Sequence, residues 1–236
     1  MHHHRVPITR PLRLAILFIF ATLPLGTGGV DAQEVGKEQF VIARVKYEGG
    51  GDWYSNPTSL PNLLRFIRQQ TGIPTAEEEA VVELTSPRLF SYPYLYMNGH
   101  GNIRFTDREV TQLRKYLAAG GFLHADDNYG MDQSFRREMR RVLPEAAFVE
   151  LPFNHPIYSS QFAFPNGPPK IHEHDGKPAQ GLGLFLDGRL VVYYTYQCDL
   201  GDGWEDPDVH NDPPAKHLAA LKMGTNLVVW RLRGGQ

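Results

Sequence analysis

Two acids standing side by side at the end of an apolar run are the first residues in this 236-residue chain that could do chemistry. In Gly120-Gly121-Phe122-Leu123-His124-Ala125-Asp126-Asp127-Asn128-Tyr129-Gly130 a buried-strand pattern stops abruptly at Asp126 and Asp127. Neighbouring carboxylates repel, so a cation, a shared proton or a polar substrate is the usual reason to hold them together. His124 and Asp126 are two apart and share a face of the strand; a histidine satisfied in the core is the simpler expectation for His124. Asp127 has a plain alternative role as the cap of the helix that follows.

A second constellation is Lys170-Ile171-His172-Glu173-His174-Asp175-Gly176. If extended, it puts His172 and His174 on one side, a spacing that suits a first-row cation such as zinc or manganese once carboxylates join it. Asp126 and Asp127 are the carboxylates expected there, although such pairs of histidines also occur in loops without metal. The third is the acidic, glycine-bearing stretch Cys198 to Asp208. Dense oxygen ligands suit calcium, but the EF-hand spacing is absent. A solvated loop over the site is expected, with Trp204 as a lid or stacking surface.

These residues need a scaffold, and short apolar runs alternating with amphipathic patterns supply one: a sheet covered on both faces. Strands are expected at Phe40 to Tyr47, Ala80 to Leu84, Tyr92 to Met97, Phe122 to Ala125 and Ala147 to Leu151. Helices are expected from about Ser59, after Thr106 with Glu109 completing a capping box, and from about Asp132. Arg136, Arg137, Arg140 and Arg141 read as a solvated face of the last of these. Beyond Pro152 come proline- and glycine-rich loops, a hairpin Leu182 to Thr195 turning at Asp187-Gly188, and a helix capped by Asp212 with Pro213 first. Gly224 is either a stop or a packing contact, and Leu227 to Leu232 is expected to continue the helix.

In an open α/β sheet, ligands sit beyond the carboxyl ends of the strands. That rim collects Gly49-Gly50-Gly51-Asp52-Trp53-Tyr54, Asn98-Gly99-His100-Gly101 and Asp126-Asp127-Asn128-Tyr129. Catalytic roles are expected of Asp126, Asp127 and His100, and ligand contacts of Gly50, Gly51, Asp52, Trp53, Tyr54, Asn98, Asn128, Tyr129 and Trp204. The triple glycine is not a dinucleotide or P-loop fingerprint.

Residues 1–32 have the parts of a secretory signal: Arg5, Arg10 and Arg13, an apolar run from Leu14 to Leu25, and Val30-Asp31-Ala32 as a cleavage site. A run of about a dozen residues falls short of the roughly 20 a spanning helix needs, so no stable membrane anchor is expected after cleavage, and the location is periplasmic or secreted. His2, His3 and His4 belong to this segment and are left out of metal arguments. Residues 33–39 then form a short linker and 40–232 one α/β domain. A formal net charge of -2 without like-charge runs gives no reason to expect nucleic acid. One cysteine, Cys198, excludes an internal disulfide, and its tyrosine-rich strand context suggests a buried, inert thiol.

The segments GGGDWYSNPTSLPNLLRF, YPYLYMNGHG, GGFLHADDNYGMDQSFRREM, PNGPPKIHEHDGKPAQG and DLGDGWEDPDVHNDPP resemble the family catalogued as domain of unknown function 4159, from about Phe40 to Leu232. That resemblance implies likeness to the class I glutamine amidotransferase-like and trehalose-utilisation-like fold. The fold expected is therefore a flavodoxin-like three-layer sandwich with a mostly parallel central sheet, plus a C-terminal loop-rich extension and hairpin. The resemblance transfers no activity. In amidotransferases of that fold a cysteine occupies the turn that here holds Asp126-Asp127-Asn128, and an acid cannot replace the thiolate, so glutaminase chemistry is not expected.

Two functions of different class follow. One is an exported metal-dependent hydrolase acting on a polar envelope substrate, with a cation held by some of His100, Asp126, Asp127, His172 and His174. The other is a non-catalytic envelope module that grips a polar small molecule or glycan with Trp53, Tyr54, Tyr129 and Trp204.

Overall fold

Strand residues here alternate between two apolar faces, the pattern of a sheet buried on both sides. The computed structural model describes residues 1, 2 and 39–235. The expected signal segment and linker therefore lie outside the described residues, save for their outermost positions. Every element falls in one compact unit, Lys37–Gln236.

The strands are β1 (Ala43–Lys46), β2 (Ala80–Glu83), β3 (Leu95–Met97), β4 (Leu123–Asp126), β5 (Val149–Glu150), β6 (Gln180–Leu186) and β7 (Arg189–Tyr196). They form one sheet in the order β2-β1-β3-β4-β7-β6-β5. The first five are parallel neighbours, while β6 and β5 add antiparallel strands at one edge. A parallel order of this kind, with helices on both faces, is the flavodoxin-like arrangement.

One face is covered by α2 (Asp107–Ala118) and α3 (Asp132–Val142), whose Val110, Leu113, Leu117, Phe135 and Met139 pack on Val45, Leu95, Met97, Leu123, Ala125 and Tyr194. The other is covered by α1 (Ser59–Thr71), the short α4 (Leu200–Trp204) and, after the one-turn α5 (Pro207–His210), the long α6 (Pro214–Leu232), packed on Ile42, Tyr94, Tyr96, Phe122 and Tyr193. From Ala220 to Trp230 α6 is apolar nearly all round, and most of that stretch is buried. Among the described residues, no helix is long and apolar enough to cross a membrane.

Local chemistry sets most boundaries. Thr106 and Glu109 make the expected capping box, Thr106 accepting from Glu109 N at 3.3 Å and Glu109 accepting from Thr106 N at 2.7 Å. Thr106→Ala is expected to lower the urea midpoint, at unchanged slope, by an amount equivalent to about 1 kcal/mol; an unchanged midpoint would show that Glu109 alone holds this end. The hairpin turns at Asp187 and Gly188, both at positive φ (52° and 78°), as a two-residue turn requires.

Several expected boundaries move. The third strand is shorter than Tyr92 to Met97 because Pro93 has no N–H and Tyr92 O is taken by the Tyr116 hydroxyl at 2.8 Å. The fifth shrinks to two residues at the edge of the sheet, next to Pro152. The last helix begins at Pro214 with Pro213 as its cap, one position later than expected, since Asp212 is engaged elsewhere. Gly224 is a packing contact inside this continuous helix: an added Cβ would lie 2.7 Å from Leu63 Cδ1 and 2.8 Å from Trp204 Cζ2. Of the four arginines on α3, Arg140 is exposed, but the others are pinned: Arg136 to Asp132 and over the Tyr194 ring, Arg137 and Arg141 to the buried Glu138.

Candidate functional site

The carboxyl ends of β1, β3, β4 and β7 lie along one edge, and the segments leaving them meet the chain at 172–174 and 199–212. The loop after β1 is fixed from below by Arg44, a buried charge in mid-strand. Its guanidinium donates to Ser55 O (2.7 Å), Asn98 Oδ1 (2.8 Å) and Asn56 O (3.2 Å) and pairs with Glu79 at 3.1 Å. A buried arginine must find such a full set of partners. The result is that Asn56, at φ 60°, presents its amide to Asp202 Oδ1 at 2.6 Å.

Adjacent residues of an extended strand point to opposite faces, and this separates the paired acids. Asp126 faces α4: one oxygen accepts from the Thr195 hydroxyl and the other from Gly201 N at 2.6 Å. Asp127 accepts from Met131 N at 3.4 Å at the start of α3, near Asp132. The expectation that both hold one cation with His172 and His174 is corrected accordingly, because both oxygens of Asp126 are already committed to the fold. What Asp126 does is anchor α4 and thereby the segment that carries Asp199 and Asp202.

The two histidines do lie on one side, and they converge on acids from that segment. His174 Nε2 contacts Asp199 Oδ2, and His172 Nδ1 lies 3.6 Å from the same oxygen. His172 Nδ1 also pairs with Asp202 Oδ2 at 3.1 Å, while its Nε2 faces Asp212 Oδ1 at 3.2 Å. His210 Nε2 stands 4.0 Å from Asp202 Oδ2 and 3.5 Å from Glu205 Oε2. His172, Asp202 and His210 each offer one ligand atom, and these atoms all lie within 4.8 Å of one another. Asn128 Nδ2 donates to Asp202 Oδ1 at 2.9 Å, and the Tyr129 ring stacks on His174 with centroids 4.5 Å apart.

Burial and mutual repulsion set the charges here. Burial raises Asp126 to about 8, with the charges of Asp199 and Asp202 adding to it against the hydrogen bonds of Thr195 and Gly201. Burial and Asp202 raise Asp199 to about 7, with His172 and His100 acting the other way. Burial and Asp132 raise Asp127 to about 6. Burial alone would raise Asp202 too, but hydrogen bonds from His172 and Asn56 carry it below the usual carboxylate range. His172 is raised, chiefly by its bond to Asp202.

Backbone strain gathers at the same place. Asn56, Tyr129, Gln197, Asp199 and Asn211 all have φ between 54° and 73°, a region costly for residues with a Cβ and often kept where function needs it. Asp199 Oδ1, Asn128 Oδ1 and Gln197 Oε1 are buried without a hydrogen-bond partner.

The remaining expected residues divide. His100 is half exposed and is held by Asp52, through its backbone N–H and through Nδ1 at 3.0 Å. Gly50 is open, whereas Gly51 must be glycine because a Cβ would meet His100 O at 2.7 Å. Tyr54 and Tyr129 are exposed, and Trp53 is partly buried against the core. Asn98 is buried and spent on Arg44 and Ser55. The lid role for Trp204 is overturned: it is 0% exposed, with Nε1 donating to Ala220 O at 2.8 Å, because the expected solvated loop is the buried helix α4. His124 is a core residue, as expected, with Nε2 at 3.0 Å from Thr195 Oγ1. His155 is a turn residue, its Nδ1 accepting from Ile157 N at 3.2 Å. Cys198 is buried and its thiol is pushed well up by burial.

Sequence reasoning singled out the acidic stretch that holds Asp199 and Asp202 but not its pairing with the histidines, and it missed His210 and the part played by Asp212. The signal available was the spacing His210-Asn211-Asp212, a histidine and an acid two apart just before a helix. A cleft of about 870 Å³ beside this edge, bordered by Glu48, Asn102, Arg104, Arg137 and Arg141, contains none of these histidines and aspartates, and its Arg137 and Arg141 are paired with Glu138.

A search of curated proteins finds no match to the chain. A family model described as a domain of unknown function (DUF4159) matches residues 41–232, which includes every residue of the edge just described. The chain belongs to the DUF4159 family.

Proposed function

We propose that the protein is an exported metal-dependent hydrolase acting on a polar envelope substrate, its cation held by His172, Asp202 and His210. The observation that carries this reading is the bracing of the ligand atoms. Two histidines and a carboxylate are a common set for zinc in sites that keep a position open. Such ligands are usually oriented by partners on their far atoms. Here Asp212 faces the far nitrogen of His172, and Asn56 and Asn128 hold the far oxygen of Asp202. Glu205, fixed by Thr58 N and Oγ1 at 3.0 and 3.1 Å, stands next to His210. The donor set suits zinc or manganese better than calcium, which favours oxygen alone.

Held by these three residues, a divalent cation would supply Lewis acidity enough to bring the pKa of a bound water toward 7. The chain's own residues do the rest. Asp199, in contact with His174 and 3.6 Å from His172 Nδ1, adds a further carboxylate beside the cation's ligands. Tyr129, 46% exposed, offers a flat surface to a substrate beside His174. Its exposure also supports the glycan-binding alternative, to which the buried Trp204 contributes nothing.

The test uses the full chain with His2, His3 and His4 changed to alanine, so that metal is counted only at the site. Elemental mass spectrometry after zinc or manganese loading should find near-stoichiometric metal, and Asp212→Asn should weaken affinity about 10–100-fold with unchanged circular dichroism. A protein that stays metal-free in both would refute the hydrolase reading and favour glycan binding.

A further inference from the structure

We propose that the edge holds two cations, with Asp199 as the carboxylate between them and His174 as the histidine of the second position. This rests on the metal reading above and extends it from one cation to a pair.

Asp199 is the acid that touches both histidines: its Oδ2 contacts His174 Nε2 and lies 3.6 Å from His172 Nδ1. His172 belongs to the first position with Asp202 and His210. His174 does not, and its ring is set at 89° to that of His172 with centroids 6.5 Å apart. Two neighbouring imidazoles thus look at one carboxylate from different directions, as the ligands of paired cations do. Cations in two-metal hydrolytic sites sit about 3.5–4 Å apart, a span one carboxylate bridges.

An independent observation points to a missing partner at the same carboxylate. Asp199 is 0% exposed, yet its Oδ1 has no hydrogen-bond partner. Most buried polar atoms are satisfied, so each exception needs a cause. Asn128 Oδ1, on the residue before the Tyr129 that stacks on His174, is also buried and unpartnered. Asp199 is held in this pose at φ 54°, between the buried Cys198 and Leu200. A second cation would engage the idle carboxylate oxygen and offset the repulsion between Asp199 and Asp202.

The test is manganese stoichiometry and electron paramagnetic resonance on the full chain with His2, His3 and His4 changed to alanine. The expected result is two equivalents per chain and an exchange-coupled spectrum in the wild-type site. His174→Ala should fall to one equivalent and show the signal of isolated manganese, and His210→Ala should lose the coupling as well. The wild-type spectrum needs no variant to fold. One equivalent and an uncoupled signal in the wild-type site would overturn the pair while leaving the single-cation reading standing. No bound manganese or zinc at all would remove both.

Discussion

Asp202→Ala is expected to destabilise the metal-free protein by about 3–5 kcal/mol and to abolish metal retention at the first position. Asp202 is the most heavily used carboxylate of the edge. Its Oδ1 takes both Asn56 Nδ2 and Asn128 Nδ2, and its Oδ2 faces His172 and His210. Both asparagines are buried, at 7% and 1% exposure, so removing the acceptor strands two amide donors away from water. It also strips His172 of the partner that raises its pKa. Asp202→Asn should do less harm to the fold, about 1–3 kcal/mol, because one oxygen remains but an amide then faces amides. Urea denaturation after chelation reads the first effect, and elemental analysis reads the second. A loss under about 1 kcal/mol for the alanine variant would show that the asparagine braces are not needed by the fold.

That the acids belong to the segment 199–212 was not legible in the sequence, and the reason is specific. Gly201 and Gly203 made Cys198 to Asp208 look like a solvated loop. In the folded protein those glycines permit close packing instead: a Cβ on Gly203 would lie 2.6 Å from that of Ala220. Asp126 then accepts from Gly201 N and ties α4 to the sheet. No local pattern announces a carboxylate that will anchor a helix 75 residues later. The scaffold was easier to read, because it depends on short-range chemistry. The apolar run of β4, the capping box at Thr106 and the Asp187-Gly188 turn each occur within a residue of expectation, and β1 lies inside the expected Phe40 to Tyr47 but starts three residues later.

The HxH pair illustrates the boundary between the two. Extended spacing correctly implied that His172 and His174 share a side. Their partners depend on which segment the topology brings opposite, and β7, being parallel to β4, delivers Asp199 just past its carboxyl end. The adjacency of Asp126 and Asp127 carried the opposite lesson, since strand geometry turns neighbours in sequence away from each other. Arg44 was passed over as one residue of a strand, although a charge inside an apolar run is itself a sign that polar groups meet it there.

On the acid side, the wild type is expected to lose on the order of 3 kcal/mol by pH 4 that a His124→Gln variant does not lose. His124 is wholly buried among Tyr96, Tyr193 and Trp204, with ring centroids 5.4, 6.0 and 6.0 Å away. Burial lowers its pKa from 6.5 to about 3. The unfolded chain therefore takes up a proton below pH 6.5 that the folded chain refuses until about pH 3. Its contribution to stability is full above 6.5 and falls as pH drops toward 3. Asp126 acts in the reverse sense: its pKa is raised to about 8, so its contribution is full below its ordinary 3.8 and fades as pH rises through 8. Glutamine at 124 carries an amide that can donate to Thr195 Oγ1 or accept from it, and it cannot titrate. Urea midpoints of the two proteins at pH 7 and pH 4, taken in chelator, isolate the histidine from the carboxylates common to both. Equal losses in the two proteins would mean that His124 accepts its proton in the folded state at an ordinary pH, and that the polar interior next to Asp126 is open to water.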